Sequence, residues 1–254
     1  MDTQNNILYD IFVKRNGISN DSFMITKKIK DIYKPFQLVQ QESNQLIKID
    51  DDKLITNNKL TSIKKPKQVI LNGKIILNET NEKIVTDNNI LGSNSIFQID
   101  AKNITIPIEE IKPEYLNYYG IQLIKHNEIF NLNNRLEIAL YEMEIGKNYL
   151  DDFLVKQNYG NGIYIESHDL PHYYFTNDTE SSGYLIIGEQ TVSGFALTGF
   201  ALGVNKTIYI PPHIYHCDGC LVGKYDVIYG KTKNYRTYLI HDREDKVVEV
   251  FFDL

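Results

Sequence analysis

The stretch Tyr209-Ile-Pro211-Pro-His213-Ile-Tyr-His216-Cys217-Asp-Gly-Cys220 decides how the second half of this chain is read. The run KTIYI at 206–210 alternates like a strand, and Pro211 ends it because proline cannot donate to a ladder. A tight turn should follow, with the chain back in the sheet near His216, so that a scaffold rather than a loose loop holds this imidazole. The second informative stretch is Gly162-Ile-Tyr-Ile-Glu-Ser-His168-Asp-Leu-Pro-His172. His168 follows the strand-like GIYIES, and His172 is four residues on, on the same side of an extended chain, although Pro171 interrupts it. Neutral imidazoles brought together by an antiparallel barrel suit Fe, Mn, Co, Ni, Cu or Zn.

Around these stretches the chain reads as consecutive strands punctuated by glycine: 121–125, 135–145, 162–167, 183–190, 193–202, 206–210, 224–229, 235–241 and 246–252. Short strands at this spacing, without intervening helical patterns, predict a sandwich or barrel. In LEIALYEMEI the alternation sends Leu136, Ile138, Leu140 and one of Met143 or Ile145 inward, with a bulge near Glu142. In 195–202 small residues alternate with large ones, as a barrel interior requires.

The chain has 254 residues, 42% hydrophobic and 24% charged, the composition of a globular protein with one large or two small domains. The formal net charge of −6 offers no global basic field to nucleic acid. Two cysteines exclude a disulfide scaffold. No apolar run approaches the roughly 20 residues that cross a bilayer as a helix. The start MDTQNNILYDIFVKRNG lacks the basic and apolar regions of a secretory signal, so the expected compartment is the cytoplasm.

A division after Tyr115 separates a β-rich region, 1–115, from a second region, 116–254. The first carries 16 Lys+Arg and 15 Asp+Glu, net +1; the second carries 11 and 18, net −7. All six histidines and both cysteines lie in the second, so metal and proton chemistry is expected there. The first region should extend or pack on the barrel. Part of 20–35 reads as a short helix capped by Asn20 or Asp21 and ended by Pro35. Short β-like runs follow at 45–50, 68–77, 83–87, 95–100 and 103–108, and Asn72-Gly73 signals a hairpin turn.

The second region resembles the cupins, small jelly-roll barrels. Their second motif runs Gly, a spacer, then Pro-x-Gly-x-x-His; here Gly203 precedes Pro211-Pro-His213-Ile-Tyr-His216, with His213 in place of the usual glycine. Their first motif runs Gly-x5-His-x-His-x3,4-Glu-x6-Gly. Gly162 and His168 match its opening, Leu170 stands at the second His, and Ser181, with Glu180 beside it, stands where Glu is expected before Gly188. The resemblance implies an antiparallel jelly-roll barrel and a divalent metal (Fe, Mn, Ni or Zn) on His216, His168, His172 and Glu180. His213 reads as a turn residue.

The expected chemistry is isomerisation or epimerisation of a small polar ligand in the barrel mouth, carbohydrate being favoured, or oxygenation if the metal is iron. His172, Tyr174 and Asp218 are the proton-handling candidates. Tyr164, Tyr209 and Tyr215 offer flat faces with a hydroxyl to grip the ligand. A metal-free variant would use a histidine base and a tyrosine acid. The alternative is a non-catalytic binding module. Cys217-x-x-Cys220 beside His216 has a zinc or redox reading, but no second ligand pair or βαβ context accompanies it. Expected partners are a small molecule and a second copy of the chain, with neither nucleic acid nor membrane.

Overall fold

The computed structural model describes residues 13–33, 37–40, 46–48, 63–77, 94–124, 129–131, 138–230, 232 and 234–254. The first strands are β1 (Lys14–Asn16), β2 (Phe23–Tyr33), β3 (Gln37–Gln40), β4 (Leu46–Lys48), β5 (Val69–Ile76), β6 (Asn94–Ile99) and β7 (Asn103–Glu110). A single helical turn, α1 (Pro113–Leu116), then precedes β8 (Gln122–Ile124), β9 (Ile129–Asn131) and β10 (Ile138–Ile145). The last half supplies β11 (Tyr164–His168), β12 (His172–Phe175), β13 (Ser182–Gln190), β14 (Gly194–Ala201) and β15 (Thr207–Ile210). It ends with β16 (Tyr215–Cys217), β17 (Leu221–Gly230), β18 (Tyr235–His241) and β19 (Glu249–Asp253).

Strands β10 to β17 pair as a nested hairpin: β10 with β17, β11 with β16, β12 with β15 and β13 with β14, all antiparallel. Folding that ribbon over gives two sheets, β10-β17-β12-β15 and β11-β16-β13-β14. This is the jelly-roll arrangement, and the mainly β class is as expected. The first sheet is widened by β2 and β1 beyond β10, and by β8 beyond β15.

The second sheet does more than face the first. Strand β18 adds beside β11, β6 runs parallel to β18, β5 pairs with β6, and β14 closes onto β5. The result is a closed seven-strand ring, β13-β16-β11-β18-β6-β5-β14. Its staves β5 and β6 come from before Tyr115, so sheet pairing crosses the division drawn from composition. Aromatic rings fill it. Phe195 is fully buried and lies edge-on to Phe97 at 4.9 Å and to Tyr215 at 5.1 Å, with Tyr238 at 5.5 Å. Each buried ring of this kind stabilises the fold by about 1.5–3 kcal/mol through apolar area alone.

Three local readings change. Residues 23–33 form strand β2, not a helix: Ser22, Met24 and Thr26 are buried in alternation, and the long ladder with β10 outweighs helix propensity. The short helix is instead α1. Asn72-Gly73 is not a turn, because β5 runs straight through it. Gly73 is there for close approach; a Cβ would sit 2.3 Å from the Gln98 carbonyl oxygen and 2.9 Å from the Phe97 ring. In β10 the inward residues are Tyr141, Met143 and Ile145, whereas Ile138 and Leu140 join a smaller cluster on the far face with Tyr209 and Ile228. Register irregularities against β2 fall at Leu140/Tyr141 and Glu142/Met143, beside the expected bulge. The run 83–87 and Leu136 lie outside the described residues.

Asn72→Thr separates the two readings of this segment. In a strand it should leave stability within about 0.5 kcal/mol of wild type. In a two-residue turn, which demands positive φ, a β-branched residue would lower the denaturation midpoint clearly.

Candidate metal centre

The sheet β11-β16-β13-β14 has two faces, and period-two alternation divides its side chains between them. Ile165 is paired with Tyr238 and looks into the seven-strand ring. Tyr164, Glu166 and His168 therefore leave β11 on the opposite face, towards the first sheet. Glu166 stands directly opposite His216 on β16, so these two share that face. Across the gap, β12 contributes His172 and Tyr174 beside inward-facing Ile208 and Ile210 of β15.

Three imidazoles and one carboxylate converge there. The donor atoms of Glu166, His168, His172 and His216 lie within 4.8 Å of one another, and all four residues are less than a tenth exposed. Donors about 2.1 Å from one ion can be at most about 4.2 Å apart, so the group is within a small contraction of a ligand shell. His168 and His172 touch through their Nε2 atoms at 2.8 Å. His216 donates from Nδ1 to the Ile214 carbonyl at 2.9 Å, which leaves Nε2 as its lone-pair nitrogen. That Nε2 is buried without a hydrogen-bond partner, and Glu166 Oε1 lies 3.5 Å away. An orphaned buried acceptor facing a carboxylate and two further imidazoles fits a cation.

The electrostatics agree. Burial, then the neighbouring His216, depresses His168 to about 3. Burial, then His168 and His216, holds His172 well below the usual histidine range, and burial also lowers His216. All three are thus neutral near pH 7, the form that ligates metal. Burial, and after it the nearby Asp218 carboxylate, raises Glu166 above the ordinary carboxylate range. A dication beside it would favour the ionised form.

Beneath the cluster lies a second polar group. Asp218 accepts from the Tyr164 hydroxyl on one oxygen and from the Tyr174 hydroxyl, at 3.1 Å, on the other. Burial, then Asp218, keeps both phenols well above their usual pKa and so protonated. Tyr174 also stacks on His172 with ring centroids 5.4 Å apart. Buried Arg15 reaches in from β1 and donates to the Tyr149 hydroxyl at 2.9 Å.

Of the residues singled out from sequence, the fold gathers His168, His172, His216, Tyr164, Tyr174 and Asp218 into the jelly-roll interior. It leaves three elsewhere. Glu180 is exposed in a turn, its backbone N–H donating to Asp178 at 3.2 Å, and the carboxylate in the group is Glu166. Tyr209 packs on the far face of the first sheet, and Tyr215 turns into the seven-strand ring. Cys217 and Cys220 are free, buried and not in the donor group. His241 is occupied by Asp245 and the Asn161 carbonyl, each at 2.7 Å, and His126 lies outside the described residues.

Glu166 was not singled out from sequence, because inside GIYIES alternation alone leaves its face open, and only its place opposite His216 decides it. Glu166, His168 and His172 stand in the sequence at the spacing Glu-x-His-x3-His. Gly160 is packed so that a Cβ would lie 2.5 Å from Leu154 backbone atoms. His213 has φ +69°, a left-handed backbone conformation that favours glycine. No protein-family model matches the chain, and no curated protein matches it. Among the described residues no helix is long and apolar enough to cross a membrane.

Asp218→Ala strands two buried phenols, each worth on the order of 1–3 kcal/mol when left unsatisfied. Thermal denaturation should show a marked loss for it and a smaller one for Asp218→Asn, which keeps an acceptor. Equal losses would mean the phenols do not depend on Asp218.

Proposed function

We propose that the protein is a cupin-type, metal-dependent enzyme that binds one divalent ion (Fe, Mn, Ni or Zn) through His168, His172, His216 and Glu166. The orphaned Nε2 of His216, set against three other donors, is the observation that carries this reading. A bound ion supplies Lewis acidity, polarising a carbonyl or hydroxyl oxygen of a small polar ligand.

The remaining chemistry belongs to the chain. Tyr174 and Tyr164 hold protons at their hydroxyl oxygens and aim them at Asp218, so that carboxylate keeps two donors while it accepts or returns a proton. Ile208, Ile210 and Val227 exclude water from the space beside them. Proton transfer next to a polarised oxygen is what isomerisation or epimerisation of a carbohydrate-like substrate requires, and this reaction class is favoured over oxygenation.

The deep burial of all four ligand residues supports a second reading, in which the ion is structural and the protein binds a ligand without turning it over. In both readings the working unit is proposed to be a homodimer.

The test is elemental analysis of untagged protein purified without chelator or affinity-column metal. Near one equivalent of a divalent transition metal is expected in wild type. His216→Ala should lose it and Glu166→Gln should hold it more weakly, whereas Glu180→Gln should keep the full equivalent. Wild-type protein that retains no metal after incubation with each ion and dialysis would overturn the proposal.

Metal removal tests what the two readings share, and turnover separates them. Chelation should lower the melting temperature in both, because binding to the folded state alone stabilises it. Under the enzyme reading, Asp218→Asn should retain the metal equivalent while turnover of a responsive sugar substrate collapses.

A further inference from the structure

We infer that His213 is an outer imidazole that captures a divalent transition-metal ion and passes it to the buried ligands; this rests on the metal-binding reading above. His168 closes β11 and His172 opens β12, so two of the ligands stand at one end of the jelly roll. The turn 211–214 lies against that end. The His213 backbone N–H donates to the His168 carbonyl at 2.7 Å, which fastens the turn to the strand carrying Glu166 and His168.

The four ligand residues are buried, whereas His213 is exposed. Its ring makes no hydrogen bond among the described residues. Asp169, the ionisable side chain just after His168, is already engaged by Thr232 and by Asn234, the latter at 2.8 Å.

The backbone supplies the remaining argument. At φ +69° glycine is the least strained residue, and Asn, Asp and His are the side chains that enter this region most often, at some cost relative to glycine. A histidine here sacrifices stability, and strain kept at the rim of a site is a mark of function. An imidazole is a good ligand for the same borderline ions that suit the cluster. Held at the rim, it can replace part of an ion's water shell before the buried donors replace the rest.

The experiment uses the full-length, metal-stripped chain and zinc(II) alone, with uptake followed by depletion of a coloured zinc–dye complex in stopped flow. Wild type is compared with His213→Gly and His213→Asn, both of which accept positive φ. Each variant should bind the same equivalent with the same Kd, yet take it up several-fold more slowly and release it more slowly by the same factor. His213→Gly should also melt at a higher temperature. Wild-type uptake and release rates in both variants would overturn the inference while leaving the cluster intact. A wild type that takes up no zinc(II), or any other divalent transition metal, would overturn the metal-binding reading itself and this inference with it.

Discussion

One sheet with two buried faces organises this molecule. Strands β11, β16, β13 and β14 belong at once to the jelly roll and to the seven-strand ring. Neighbouring residues on a strand must point to opposite faces, so the sheet sorts its side chains. Ile165, Tyr215 and Cys217 go to one side, and Glu166 and His216 to the other. The ring side packs aromatic and aliphatic groups at close range. A Cβ on Gly188 would lie 2.7 Å from Leu197 and one on Gly199 2.4 Å from Ile108, so neither glycine tolerates a side chain without repacking. That rigidity fixes where the ionisable residues emerge on the opposite face.

The opposite face carries an unusual load for a protein interior. Glu166, Asp218 and Arg15 are buried together with three imidazoles. Isolated buried charges are costly, and they persist when paired, hydrogen-bonded or bound to metal. Asp218 accepts from two phenols, and Arg15 donates to Tyr149 although its Nε has no partner. Glu166 and the imidazoles lack an equivalent arrangement: Nε2 of His216 and Nδ1 of His172 have no hydrogen-bond partner, and burial disfavours ionisation of the carboxyl group. A cation resolves both conditions with one species. The buried polar groups thus fall into a set tied together by phenol hydrogen bonds and a set of four apposed donors, Glu166 and three imidazoles, that is ready to ligate.

Much of this was legible in the sequence. Glycine-bounded alternation predicts the barrel, and Pro211 with His216 locates β15, its turn and β16. His168, His172 and His216 are found because imidazoles are scarce and their spacing is informative. Glu166 was not found because a carboxylate inside GIYIES looks like an ordinary outward-facing strand residue; only its position opposite His216 shows which face it takes. Tyr209 and Tyr215 could not be assigned to a face from composition, since a one-residue change of phase reverses inside and outside. The N-terminal staves read as β-like runs at 68–77 and 95–100, but their partners in the ring did not. Strands β5 and β6 close the ring through long-range pairing, including a parallel contact with β18, and no local pattern encodes such a partner.

Anomalous diffraction from crystals of metal-loaded protein, recorded at the absorption edge of the bound metal, tests the central claim most directly. The account predicts one strong peak between the two sheets, ligated by Nε2 of His216, imidazole nitrogens of His168 and His172, and the Glu166 carboxylate. A peak elsewhere on the molecule, or four apposed side chains with no anomalous density between them, would contradict it.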